Sequence, residues 1–304
     1  MTWRYALMIV PAAADDARTD FAETFTAVDP AFPALSVGEL STQRGDGIFE
    51  SIGVVDGHAQ EAEAHLDRLA HSARLCDLPA PNLAQWREAV LQTAAHAPQR
   101  GEGVIKLILS RGVEHGPTPT AWVTAADAPD FTAPRENGVR LVTLDRGLDS
   151  GAAARAPWLL LGAKTLSYAV NMAAIREAKR RGADDALFIS SDGVVLEAPT
   201  ASLILRFGDR FVTPAHDGGI LPGTTQLSLF EHLEMLGHPT AYETIPHARL
   251  AAADAAWLVS SVRLAAPVSA IDGVPLPVDR ELSASFNRYL LRPRDWAVGV
   301  PVTG

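Results

Sequence analysis

Four groups of side chains in this sequence have the types and spacing to do chemistry. Lys164 follows the run Trp158–Leu161 and then Gly162 and Ala163, an apolar stretch with no other charge. A buried primary amine is costly unless it is paired, neutral or covalently used, and desolvation supplies the free amine that condenses with a carbonyl group. Taken alone, its ordinary role is a strand-end lysine whose ammonium snorkels to water. Glu197 ends the apolar stretch Val194–Leu196, and alone it reads as a carboxylate facing solvent. His65 and Arg68 lie three apart on one helical face. Arg68 is either a phosphate clamp or, by default, the ion-pair partner of Asp67 or Glu61. The fourth group is Gly219–Gln226, in which Gly223, Thr224 and Thr225 precede Leu227, Leu229, Phe230 and Leu233 at helical spacing. Such a start aims backbone N–H groups and the positive end of the helix dipole at one spot, an anion site, unless Thr224 is only an N-cap. The P-loop lysine is absent, so a nucleoside triphosphate site is not indicated.

Mixed strand and helix patterns must position these groups. Strands are predicted over 1–10, 48–55, 104–110, 121–125 and 139–144, and helices over 61–76 and 83–97. The Gly- and Ala-rich stretch 146–157 reads as a connection between an N-terminal α/β domain, 1–145, and a C-terminal α/β domain, 158–304, that carries Lys164. In the second half a strand leads to Lys164 and a helix follows over 167–181. Two hairpins fit 186–197 and 202–212, turning at Ser191–Gly193 and at Gly208 and Asp209.

Composition excludes several functions. The chain has 304 residues, 47% hydrophobic and 20% charged, with a formal net charge of -10. That acidity argues against nucleic acid or an anionic membrane as the partner. The only cysteine is Cys76, so no internal disulfide forms and a reducing cytoplasm is the expected compartment. Nine scattered histidines, without HExxH or cysteine pairs, give no support for a metal site.

Six stretches occur in an order that resembles the fold-type IV pyridoxal-phosphate enzymes, the class IV aminotransferase family. They are Arg44–Ser51 (RGDGIFES), His65–Leu69 (HLDRL), Lys164–Arg176 (KTLSYAVNMAAIR), Glu197–Ser202 (EAPTAS), Ile220–Thr225 (ILPGTT) and Val259–Val268 (VSSVRLAAPV). The family includes branched-chain aminotransferases, D-amino acid aminotransferases and aminodeoxychorismate lyases. The resemblance implies a two-domain α/β fold with pyridoxal 5'-phosphate in the interdomain cleft, and a homodimer. It implies that Lys164 holds the cofactor and shuttles protons, while Glu197 pairs with the pyridine nitrogen and deepens the electron sink. Arg68, Gly223, Thr224 and Thr225 become the phosphate cradle, with Thr200, Ser260 and Ser261 as further contacts.

Three departures bear on the substrate. Ala201 and Ser202 stand where many members have a Ser-Asn pair, and Phe49 stands where the D-amino acid enzymes carry tyrosine. After Arg111 and Gly112 the chain reads Val113 to Gly116 and lacks the Arg-x-His carboxylate trap. The expectation is therefore aminodeoxychorismate lyase, which releases 4-aminobenzoate and pyruvate for folate synthesis and needs only one lysine as nucleophile and base. Amino-group transfer on branched-chain or D-amino acids is the alternative, and a non-catalytic member of the fold the second alternative. Phe49, Arg44, Arg111, His115 and Arg263 are the candidates for substrate contact.

Overall fold

Short apolar strands in the first half of the chain pair into an antiparallel sheet. The computed structural model describes residues 2–295 and 300–301. The chain divides into two units, the first comprising Met1–Pro129, Ala163–Tyr168 and Arg292–Gly304. Its strands are β1 (Trp3–Ile9), β2 (Phe25–Val28), β3 (Gly47–Val55), β4 (His58–Ala59), β5 (Glu102–Ser110) and β6 (Thr120–Asp127), in the order β2-β1-β6-β5-β3-β4. The helices are α1 (Leu40–Gln43), α2 (Ala62–Leu75) and α3 (Leu83–Ala94). α2 buries Leu66, Leu69 and Ala73 against β3. α3 starts at Asn82, whose side chain caps Gln85 N–H, and buries Trp86, Ala89 and Val90.

The second unit, Asp130–Gly162 with Ala169–Leu291, is a mixed sheet. It begins with α4 (Thr132–Asn137), β7 (Val139–Asp145), α5 (Ala152–Arg155), α6 (Ala169–Arg180) and β8 (Asp185–Ile189). β9 (Ser202–Phe207), β10 (Arg210–Pro214), α7 (Thr224–Met235), β11 (Thr240–Glu243), β12 (Ala255–Ser260), β13 (Leu264–Ile271), β14 (Val274–Pro275) and α8 (Arg280–Leu290) follow. The order is β11-β10-β9-β12-β13-β7-β8, with β14 on β13. β9 is buried on both faces: Leu203 and Leu205 enter one core with Leu187 and Leu258, while Ile204 enters another with Trp257, Leu229 and Phe286.

Two expectations are corrected. The division falls after Pro129, not at 146–157, because Val139–Asp145 pairs in parallel with both β13 and β8 and so belongs to the second sheet. The run Trp158–Leu161 is not a strand. Pro157 opens a 3-10 turn over Pro157–Leu159, Leu160 takes φ +53°, and Trp158 is 75% exposed. Among the described residues no helix is long and apolar enough to cross a membrane.

Candidate active site

In the first unit the lysine segment is an added edge on β3. Phe49 N–H donates to the Lys164 carbonyl at 3.0 Å, Leu166 N–H donates to the Gly47 carbonyl at 2.8 Å, and Ile48 bridges Thr165. Lys164 N–H reaches Ser72 Oγ of α2 at 3.1 Å. The glycines of Arg44–Gly47 exist for this approach. A Cβ on Gly47 would lie 2.8 Å from the Leu109 carbonyl oxygen, Ser110 Cα and Leu166 Cδ1, and one on Gly45 would lie about 3 Å from Ser167.

Lys164 Nζ thereby comes to 4.5 Å from the centroid of the Phe49 ring, whose edge-on neighbour is Tyr168 at 5.3 Å. The same ring has a second amine. Lys106 Nζ from β5 lies 5.5 Å from its centroid. Burial pushes the Lys106 ammonium down from its usual pKa, and no carboxylate pairs with it among the described residues. A half-buried cation without a counter-ion is a site for an anion. The sequence reading missed Lys106, although it shows the signal that singled out Lys164, a lone amine in the apolar run Val104–Leu109.

Arg68 is fixed by a residue the sequence reading did not single out. Its Nε and Nη2 donate to the two oxygens of Glu50 at 2.7 Å each, and His65 Nδ1 lies 2.7 Å from Glu50 Oε2. The partner is thus Glu50, eighteen residues back on β3, rather than Asp67 or Glu61. Burial alone would push the fully buried Glu50 carboxyl up. The charge of Arg68, its hydrogen bonds and that of His65 outweigh this and hold it well below its ordinary value. The pair fixes the plane of the Arg68 guanidinium.

The other candidates in this unit have different employment. Arg111 donates to Asp46, and to the carbonyls of Cys76 and Asp77 at the end of α2. Arg44 pairs with Glu114 at the surface, and His115 sits exposed in a turn at φ +63°.

In the second unit Glu197 lies in the hairpin arm opposite β8, with its carbonyl accepting from Phe188 N–H at 3.0 Å. Its two carboxylate oxygens accept from Leu221 N–H at 3.2 and 3.3 Å. Asn171 Nδ2 donates to the Pro199 carbonyl at 2.7 Å and fixes the segment between Glu197 and Thr200. α7 begins with Gly223 as its N-cap, so Thr224 is the first helical residue and not the cap. No side chain caps this helix, and the hydroxyls of both Thr224 and Thr225 lie 3.3 Å from Ser261 Oγ. Gly223 is needed because a Cβ there would overlap Ser202 Oγ. Ser260 ends β12 beside this cluster, and Arg263 Nη2 donates to Asp185 Oδ2 at 2.8 Å and Thr200 Oγ1 at 3.2 Å.

These donor sets suit a phosphorylated pyridine aldehyde. Three hydroxyls at an uncapped helix start match a phosphate, a carboxylate held by a backbone N–H matches a pyridinium nitrogen, and an amine against an aromatic face matches a carbonyl carbon. Among the described residues no group of three His, Cys, Asp or Glu side chains converges on one point.

Comparison with known proteins agrees with this chemistry. The family model "Amino-transferase class IV" matches residues 47–271. The bifunctional aminodeoxychorismate lyase / D-amino acid transaminase of Mycobacterium tuberculosis is 44% identical over 260 residues, 82% of this chain and 90% of that protein. A fold IV transaminase from Curtobacterium pusillum superposes with a TM-score of 0.89 at 48% identity, covering 94% of this chain and 98% of its own. A PLP-bound aminotransferase from Mycobacterium tuberculosis gives 0.83 at 40% identity, over 93% and 97% of the two chains.

Proposed function

The chain belongs to the class IV aminotransferase family and its cofactor is pyridoxal 5'-phosphate, and from that premise we propose that it is an aminodeoxychorismate lyase. The observation that carries the reading is Lys106, without a carboxylate partner among the described residues, on the ring that also carries Lys164, in a chain that has Phe49 and lacks the Arg-x-His trap of the D-amino acid enzymes. Aminodeoxychorismate bears two carboxylates, and a partly dehydrated cation near the reacting amine is what recognition of one of them requires.

Bound pyridoxal phosphate supplies an electron sink for a carbanion. Lys164 Nζ would hold it and, as a free amine, would take the proton from the aminated ring carbon of the substrate. The Phe49 ring shields Nζ from bulk water and limits its motion. Glu197, oriented by Leu221 N–H, keeps a proton on the pyridine nitrogen. Arg68 and the hydroxyls of Thr224, Thr225 and Ser261 hold the phosphate, while Lys106 binds a carboxylate. Among the sequence candidates, Thr200, Gly223 and Ser260 serve this cradle through the backbone and the segments they anchor.

Transamination of D-amino acids is the second reading, favoured by the double name of the 44% identical relative. Incubation with aminodeoxychorismate must yield 4-aminobenzoate and pyruvate in equal amounts. Transfer of an amino group to 2-oxoglutarate with no 4-aminobenzoate would establish the second reading and refute the first. The proposal includes a homodimer, supported by Trp158, Val170 and Met172, large apolar side chains exposed on the second unit. Sedimentation at micromolar concentration tests it, and a monomer overturns it.

A further inference from the structure

The turn that carries Ser261 is held in a conformation that its own residues do not favour. Ser260 pairs with Leu264, so the loop between β12 and β13 is three residues, Ser261–Arg263. Leu264 takes φ +61°, the left-handed position that glycine usually fills in such a loop. A leucine there is strained and persists only where its surroundings over-determine the backbone.

Two arginines do so. Arg135, on α4, donates from Nε to the Arg263 carbonyl at 2.8 Å and from Nη2 to the Val262 carbonyl at 3.1 Å. The guanidinium spans consecutive peptide units, which fixes both their planes. Arg263 in turn donates from Nη2 to Asp185 at the start of β8 and to Thr200. Asp185 is itself buried, and its other oxygen accepts from Ala186 N–H at 2.9 Å. The main chain of the turn is therefore pinned from α4, and its side chain from β8 and from the segment three residues beyond Glu197.

The consequence lies at Ser261. Its hydroxyl meets those of Thr224 and Thr225 at 3.3 Å each, and the placement of the turn decides whether this third hydroxyl joins the other two at the start of α7. We infer that Arg135 and Arg263 are positioning residues. They lock the Ser261–Arg263 turn so that the three hydroxyls are preset for a phosphate monoester, and neither arginine touches the phosphate itself. The inference rests on the proposal that these hydroxyls hold the phosphate of the cofactor.

The test compares ligands that differ only in the phosphate. The apoprotein is titrated with pyridoxal phosphate and with pyridoxal, and the Kd for pyridoxal divided by the Kd for pyridoxal phosphate reports the cradle apart from the lysine. Arg135→Met is expected to lower that ratio by about tenfold, the worth of one ordinary hydrogen bond, while the Kd for pyridoxal stays unchanged. Arg135→Lys, which keeps one donor for the two carbonyls, falls between. Equal weakening of both ligands, or no change in either, overturns the inference. Ser261→Ala separates the two layers. If it leaves the ratio unchanged, the hydroxyl cradle itself is wrong; if it lowers the ratio while Arg135→Met does not, only the positioning role fails. Should Arg135→Met not fold, Arg263→Lys is measured in the same way with the same criteria.

Discussion

Replacing Gly47 by alanine tests whether the lysine segment depends on its seat against β3. Gly47 has no left-handed backbone, so the substitution acts through space alone. The new Cβ would meet three atoms at 2.8 Å, and two of them, the Leu109 carbonyl oxygen and Ser110 Cα, are backbone of β5. β5 is paired on both sides, by β3 and β6, and cannot yield. β3 or the lysine segment must therefore move by about 0.6 Å to reach an ordinary contact distance. Overpacking of this kind costs about 1–3 kcal/mol. Strain on the 2.8 Å bond from Leu166 N–H to the Gly47 carbonyl costs about 1 kcal/mol more. The loss of chain freedom in the unfolded state returns about 0.4–1 kcal/mol. The net of about 1–3 kcal/mol corresponds to a fall in Tm of roughly 2–5 °C for a chain of this size. Thermal unfolding followed by circular dichroism measures the fall, and titration with pyridoxal phosphate measures the displacement of Lys164. A variant with the wild-type Tm and the wild-type cofactor affinity would refute the close-approach argument for the RGDG stretch.

Three further outcomes are expected. Lys164→Ala abolishes the visible absorption gained on adding pyridoxal phosphate while the circular dichroism spectrum is retained; persistence of the band would show that another amine holds the cofactor. Lys106→Met raises KM for aminodeoxychorismate by roughly tenfold or more, as loss of a hydrogen bond to a charged group requires, and leaves the cofactor band unchanged. An unaltered KM removes Lys106 from the substrate site. Glu50 titrates below its ordinary 4.5 when folded, so its contribution to stability is complete above that pH and drains away as the medium becomes more acidic. Urea midpoints between pH 6 and pH 3 should therefore fall more steeply for the wild type than for Glu50→Gln, which is already weaker at pH 6 because the buried Arg68 guanidinium loses the Glu50 charge; parallel slopes would contradict the pairing.

Local apolar patterning made most elements legible, because each packs within its own unit. The helices near 62–75 and 83–94 and the strands around 48–55, 104–110 and 121–125 needed no distant information. What stayed hidden depends on partners far along the chain. Trp158–Leu161 has the composition of a strand, but Pro157 and the left-handed Leu160 prevent one, and the extended segment begins only at Lys164, where Gly47–Phe49 supply the pairing. Glu50 was invisible as the partner of Arg68 because nothing in FES distinguishes a carboxylate pointing at a helix from one pointing at water. The stretch 146–157 has the glycine and alanine content of a linker, yet β7 before it is already committed to the second sheet. Thr224 looked like a cap because the competing residue, Gly223, has no side chain to announce itself.

The positions of the two amines bear on why one scaffold serves both readings of its chemistry. On the proposed role of Lys164, elimination from aminodeoxychorismate and transfer to 2-oxoglutarate both open with a proton moved by that lysine, so it does not discriminate between them. Both reactions do present a dicarboxylate. The first carboxylate can be met by backbone and hydroxyl donors, but the second lies on the part of the molecule that differs between substrates and needs a cation of its own. In the proposed reading Lys106 meets that need from β5, the neighbour of β3 in its sheet, where it shares the Phe49 ring with Lys164. A charge carried on a rigid strand fixes where a second carboxylate sits without specifying the group that bears it. Choice of reaction is then set by whether a leaving group stands on the ring next to the abstracted proton, a property of the substrate and not of the amine that starts the chemistry.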